Sequence, residues 1–239
     1  MEEQFPDYDL YPQYDFAVGF MTRGCPRCNH TFCITPRKDG VISRKVADIK
    51  AFWNGQKLIK LLDQNLLACP DHIELLKQLI DSGVEVEFNG GLDVRFINSE
   101  NLKLLAKLNV RMHHFAWDDP NEDLRNKFLE ARKIIPTTPR NTTVYVLTNY
   151  WSTHEEDLMR VYWLRDHGFS PFIMIYDKQK FVDDRGRWLP GVHEKYTPEQ
   201  LHNFKLCQLM QRWCNSRFIF RSVNNFTDYD YYQKYIGGD

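Results

Sequence analysis

Apolar strand-like runs alternate with amphipathic helix-like runs along most of this chain, and that alternation restricts the fold more than any other feature. Residues 15–21 (Asp-Phe-Ala-Val-Gly-Phe-Met) read as a short buried strand and residues 58–62 as a second. A helix is expected over about 71–82, where Ile73, Leu76 and Ile80 recur at helical spacing and Gly83 supplies a stop. The unit then recurs. Strands are expected over 84–88, 111–117, 143–147 and 172–176, with helices over 99–108 and 121–134 between them. Two further helices open on capping boxes, Thr153-x-x-Glu156 and Thr197-Pro198-Glu199-Gln200, the latter with proline at the first helical position. A repeat of roughly 30 residues is the size of a βαβ unit. Strict alternation of this kind implies a parallel sheet with right-handed crossovers. A closed eightfold barrel typically takes about 250 residues. Six units fit between residues 15 and 177, which leaves an open six-strand barrel or a doubly wound sheet.

Composition narrows the class. In 239 residues, 43% apolar and 26% charged content marks a globular chain with enough apolar side chains for a sizeable core. The net charge of −1 argues against a dedicated nucleic-acid binder. No apolar run approaches the ~20 residues needed to span a bilayer. The opening Met1-Glu2-Glu3-Gln4-Phe5-Pro6 lacks the basic-then-apolar pattern of a secretory signal, so a cytoplasmic protein is expected.

In parallel α/β folds, chemistry gathers at the C-terminal ends of the strands. Here those ends carry, in order, a cysteine loop, Asp63-Gln64-Asn65, Asn89-Gly90-Gly91-Leu92-Asp93, Asp118-Asp119, Thr148-Asn149-Tyr150 and Asp177-Lys178. All six are polar or able to bind metal.

The loop itself, Gly24-Cys25-Pro26-Arg27-Cys28-Asn29-His30-Thr31-Phe32-Cys33, has a C-x2-C-x4-C pattern. Soft thiolates favour zinc and iron–sulfur centres. In one reading Cys25, Cys28 and Cys33 hold a [4Fe-4S] cluster and leave one iron open. In the other, His30 completes a Cys3His zinc set, giving a zinc-stabilised binding or nucleic-acid-processing module. The position of the loop, after the first strand of a large α/β domain, favours iron–sulfur. Cys207 and Cys214, seven apart on one helix, read as core thiols.

Gly19-Phe20-Met21-Thr22-Arg23-Gly24-Cys25-Pro26-Arg27, closed by Phe32-Cys33, resembles the cluster loop of radical S-adenosylmethionine enzymes, in particular the branch containing methylthiotransferases and cobalamin-dependent members. Asp63-Gln64-Asn65 and Asn89-Gly90-Gly91-Leu92-Asp93-Val94-Arg95 are similar to motifs of that branch, and the likeness covers roughly residues 15–180. It departs from the family's usual C-x3-C-x2-C spacing, because the middle cysteine comes one position early. The resemblance implies a partial (β/α)6 TIM-like barrel over 15–180, preceded by an arm (1–14) and followed by a helical, aromatic extension (181–239) that closes it. It also implies a [4Fe-4S] cluster and S-adenosyl-L-methionine, cleaved reductively to a 5′-deoxyadenosyl radical that acts on a substrate the sequence does not identify. A low-potential electron donor such as flavodoxin or ferredoxin is the implied partner. A relative that has lost catalysis and survives as a scaffold is a third reading.

By the same resemblance, Phe32 lies near the adenine, and Asp63 and Asn65 stand where the methionine amino group is contacted. Asn89, Asp93 and Arg95 sit where substrate or the methionine carboxylate is held, arginine being suited to bidentate carboxylate recognition; an ion pair between Arg95 and Asp93 is the plainer alternative. Asp118 and Asp119 suit ribose hydroxyls, although Asp-Asp-Pro is equally a helix-start signal. His113 and His114 are adjacent in a strand and face opposite ways, so a buried, hydrogen-bonded histidine is expected. Arg37, Lys38, Arg44, Lys45 and Lys50 form a local basic patch, read as a solvated helix face. No residue is assigned a catalytic role from sequence.

Overall fold

The computed structural model describes residues 4–27, 31–135 and 138–236. Among them the strands are β1 (Phe16–Gly19), β2 (Thr22–Arg23), β3 (Arg44–Lys45), β4 (Leu58–Leu61), β5 (Glu85–Phe88), β6 (Val110–Ala116), β7 (Thr142–Thr148) and β8 (Ser170–Ile175). The helices are α1 (Thr35–Lys38), α2 (His72–Ser82), α3 (Ser99–Leu105), α4 (Arg125–Ile134), α5 (His154–Asp166), α6 (Val192–Lys195), α7 (Pro198–Asn215), α8 (Arg217–Ser222) and α9 (Asp230–Tyr235). Six strands form one parallel sheet in the order β1-β4-β5-β6-β7-β8, so the α/β class expected from the alternation is present. No helix among the described residues is long and apolar enough to cross a membrane. By contact density the chain divides into two units, Met1–Ala116 with Asp123–Thr143, and Trp117–Glu122 with Val144–Asp239.

In the first unit, β4 (Leu-Ile-Lys-Leu) buries three of its four residues, the near-continuous apolar run of a strand covered on both faces. It pairs with β1 from Phe16↔Leu58 to Gly19↔Leu61 and with β5 from Leu58↔Glu85 to Leu61↔Phe88. Helix α2 returns the chain from β4 to β5. Its Leu75, Leu76 and Leu79 are buried, each contributing about 2 kcal/mol, and it ends at Gly83 in the left-handed region (φ +64°). Helix α3 opens on a capping box of Asn98 and Asn101 that neither Ser/Thr nor Glu/Gln announces in the sequence. Helix α4 begins at Arg125 rather than 121, outside the first four residues of the expected span. The basic residues do not share a helix face: Arg37 and Lys38 are in α1, Arg44 and Lys45 in β3, and Lys50 in a 3-10 turn.

His113 is buried as expected, at 3% exposure, but neither ring nitrogen has a hydrogen-bond partner among the described residues. Its ring instead stacks on Phe115 at 6.3 Å and 5°. The strand offers this position an apolar face, and burial pushes the imidazole down to about 4.

In the second unit the controlling residue is Arg160 of α5, fully buried. Its guanidinium donates to the Trp117 carbonyl (2.7 Å), the Asp118 carbonyl (2.9 Å) and the Leu147 carbonyl (3.1 Å), and pairs with Asp157. Five N–H groups in a rigid fork suit one side chain to collect that many acceptors. Helix α7 covers β8, the last strand in the order. Asn215 Oδ1 accepts from Ile173 N (2.8 Å), and Asn215 Nδ2 and Gln211 Nε2 donate to Ile173 O (3.1 and 3.0 Å). The C-terminal aromatic segment turns inward. Phe226 is fully buried beside Trp213 and Tyr232, and its N–H donates to Tyr162 Oη (2.9 Å). Cys207 and Cys214 are the buried thiols expected; burial pushes Cys207 up to about 12, which makes it inert.

Two stability predictions follow from these burials. Arg160→Met leaves the Asp157 carboxyl buried without its cation and is expected to cost about 3–5 kcal/mol in denaturant unfolding. His113→Phe keeps the ring stack and removes two unmet polar atoms, so it is expected to be neutral or stabilising. Because the native imidazole titrates near 4 and the unfolded one near 6.5, wild-type stability falls as pH drops through that window. The variant is expected to lack that fall when melting is followed from pH 7 to 4.

Candidate cofactor site at the cysteine loop

The cysteine loop leaves the sheet through a glycine. A Cβ on Gly19, the last residue of β1, would lie 2.3 Å from the Phe52 ring, so the strand end is shaped around that ring. The chain then enters β2, which pairs antiparallel with β3 through Thr22↔Lys45 and Arg23↔Arg44. Residues 24–27 and 31–43 therefore lie between the two strands of a two-rung stalk. At its base Gly24 takes φ +91°, and a Cβ there would lie 2.2 Å from the Ile42 carbonyl oxygen. Cys25 N donates to Gly40 O (3.2 Å), bringing the two arms of the loop together.

What fixes this stalk is the segment after β4. The Asp63 carboxylate, 3% exposed, accepts from Met21 N (3.2 Å), Thr22 N (2.5 Å) and Thr22 Oγ1 (2.6 Å). Gln64 Nε2 donates to Asp39 Oδ2 (3.0 Å), and Asp39 also pairs with Arg23. Ser43 Oγ donates to Asn65 O (2.9 Å). Asn65 Nδ2 then reaches the cysteine itself, donating to Cys25 Sγ (3.5 Å) and to Asp93 Oδ2 (3.1 Å). The other Asp93 oxygen accepts from Arg95 N (3.1 Å) and Arg95 Nε (2.6 Å). Cys25, Asn65, Asp93 and Arg95 thus form one hydrogen-bonded chain across the ends of β1, β4 and β5.

Two details give this chain chemical meaning. Asn65 is only 2% exposed, yet among the described residues its Oδ1 has no hydrogen-bond partner; Asn89 Oδ1, after β5, is likewise buried and unpartnered among them. Buried polar atoms are normally satisfied, so each is an acceptor lacking a donor. Asp63 is the converse case, with its acceptor capacity spent on the loop. Burial raises its carboxyl to about 6, against the lowering effect of the Thr22 and Met21 donors.

Of the residues singled out from sequence, Cys25, Asn65, Asp93 and Arg95 are brought together, and Asn89 stands at the adjoining strand end. The Arg95–Asp93 ion pair forms as the plainer alternative foresaw. Asp63 acts from behind the loop. Cys33 and Phe32 are half-buried just before α1, and the thiols of Cys25 and Cys33 are free. Cys28 and His30 lie outside the described residues. Asp118 belongs to the second unit, where its carbonyl accepts from Arg160 and from Trp151 Nε1 (3.3 Å). Among the described residues, no group of three or more His, Cys, Asp or Glu forms a ready metal site. Sequence reasoning missed Ser43 and Asp39, which are ordinary loop residues, and the part played by Gly90. A Cβ on Gly90 would lie 1.9 Å from the Asp63 carbonyl oxygen, so the β5 end passes directly against the β4 end; the Asn-Gly-Gly run was the available signal.

Asp63→Asn replaces an acceptor facing three donors with a half-donor and is expected to cost about 2 kcal/mol. A carboxyl with a native pKa near 6 against 3.8 unfolded contributes stability below 3.8 that is lost as pH rises through 6. The advantage of wild type over this variant is therefore expected to narrow between pH 4 and 6, as read by urea unfolding at several pH values. Compared with known proteins, the chain matches no family model and no curated protein sequence, so its site is read from its own geometry.

Proposed function

We propose that the cysteine loop is the cluster loop of a radical S-adenosylmethionine enzyme, carried on a partial (β/α)6 barrel. The observation that supports this most is Asn65, a buried amide that touches the Cys25 thiol and the Asp93 carboxylate and still has an unmet acceptor. A ligand that places N–H donors beside a metal-binding sulfur meets that requirement, and the ammonium of an amino acid is such a group. The donor set is compatible: Cys25, Cys28 and Cys33 would hold a [4Fe-4S] cluster, soft sulfur being the ligand such clusters take. When bound, the cluster with S-adenosyl-L-methionine supplies one-electron cleavage of the sulfonium and a 5′-deoxyadenosyl radical.

The chain's own residues do the rest. Asn65 Nδ2, by donating to Cys25 Sγ, orients that sulfur at the end of β4. Asn65 Oδ1 and Asn89 Oδ1 accept from the amino group, and Asp93 adds negative charge beside them. Arg95, held through its Nε by Asp93, offers the carboxylate partner. Asp63 and Gly90 keep the ends of β4 and β5 at fixed spacing, so these groups need no rearrangement on binding. A low-potential donor, flavodoxin or ferredoxin in class, is the proposed electron source. The hydrogen-atom donor, the substrate, is unassigned.

Anaerobic reconstitution is expected to give about four iron atoms per chain and, with reductant, release of 5′-deoxyadenosine. Asn65→Ala is expected to retain iron and to weaken S-adenosylmethionine binding about tenfold or more, measured by equilibrium dialysis. Stoichiometric zinc with no iron uptake would refute the reading.

A further inference from the structure

The second unit contains a cavity of about 740 Å³ with no part in the reading above. It opens at the ends of β7 and β8, lined by Asn149 and Tyr150 after the one and Tyr176 and Asp177 after the other. Asn149 (φ 61°) and Asp177 (φ 50°) are the two non-glycine residues with left-handed backbone among the described residues, and both stand in this wall. Asn149 Nδ2 donates to Tyr176 O (3.0 Å), fastening the two strand ends to each other.

The lining selects by charge and by surface. Aromatic rings form two of its walls: Tyr150 against Tyr176 at 4.5 Å, and Tyr196, which is backed by Phe181 at 4.3 Å, itself stacked on Phe204 at 4.2 Å. Three carboxylates, Glu155, Asp157 and Asp177, face one lysine, Lys180, which is already paired with Asp177. Arg160 behind the wall balances Asp157, so the cavity retains an excess of negative charge. That excess disfavours phosphate and other anions. Two of the three lining amides help to hold the wall: Asn149 Nδ2 donates to Tyr176 O (3.0 Å), and Gln200 Oε1 accepts from Thr197 N (2.9 Å); Asn203 is the third. His154 presents a buried Nδ1 without a partner among the described residues, and burial lowers its pKa, which favours the neutral ring, able to accept a hydrogen bond.

We infer that this cavity binds an organic amine in its protonated form, with aromatic faces and carboxylates enclosing the ammonium group. Aromatic faces attract a desolvated cation, and Asp177 gives it a counter-ion for which Lys180 competes. The inference uses no residue of the cysteine loop, so it stands or falls independently of the cluster.

The competition supplies the test. Calorimetric titration of the full chain with 1,5-diaminopentane at pH 7.5 and fixed ionic strength is expected to show saturable binding, and 1,5-pentanediol, the neutral analogue, none. Lys180→Gln frees Asp177 and is expected to tighten diamine binding about threefold. Asp177→Asn keeps a residue tolerant of left-handed backbone, removes the counter-ion and is expected to weaken binding about fivefold or more. Opposite shifts in the two variants support the assignment. Equal binding of the diol, preferential binding of adenosine or inorganic phosphate, or shifts of the same sign would overturn it. If Asp177→Asn fails to fold by circular dichroism, Lys180→Gln alone decides, since unchanged or weaker diamine binding there also overturns it.

Discussion

The candidate site depends on the Asp63 carboxylate more than on any cysteine. A cysteine-bearing loop has no core of its own, and the two arms of this one leave the sheet on a stalk of two paired rungs. Such a ladder is too short to hold a loop by itself. The carboxylate at the end of β4 takes three donors from the first residues of that stalk, and its neighbours Gln64 and Asn65 reach further into the loop. The cost is a buried acid whose ionised form is disfavoured, accepted because the alternative is an unanchored set of thiols.

This arrangement makes the ends of adjacent parallel strands act as a unit. Parallel pairing brings the C-terminal ends of β1, β4 and β5 to one edge, as the register from Gly19↔Leu61 to Leu61↔Phe88 requires. Gly90 then lets the backbone after β5 contact the Asp63 carbonyl, so Asp93 is positioned against Asn65 by main chain rather than by flexible side chains. The order of elements, the side-chain bonds and the unmet amide oxygens all point to the same small region.

Much of this was legible in the sequence, for identifiable reasons. The sheet strands and their crossovers follow from apolar runs such as Leu-Ile-Lys-Leu and from helices with clear punctuation at Thr153, Thr197 and Gly83. Polar residues placed just after apolar strands marked Asn65, Asp93 and Arg95 because parallel topology gathers those positions. Roles decided by long-range partners were not legible. Nothing local separates Asp63, which turns back to hold β2, from Asn65, which turns outward to Cys25. Arg160 is one more arginine on a charged helix until four carbonyls converge on it. His113 carries no sign that its nitrogens will go unmet. The start of α4 shifted because Asp119 accepts from Asn121 N in a local turn, while Asp123 Oδ1 accepts from the first helical N–H, that of Arg125 (3.1 Å).

Helix α7 supplies β8 with hydrogen bonds that a neighbouring strand would otherwise provide. Asn215 bonds both the amide and the carbonyl of Ile173, so a helix side chain imitates one rung of a ladder at the margin of the sheet. A fragment ending near residue 180 therefore exposes a raw, apolar ribbon with open backbone groups, the template on which chains stack into aggregates. Helix α7 thus closes the margin of the sheet, and any attempt to isolate the strand-and-helix core must keep it.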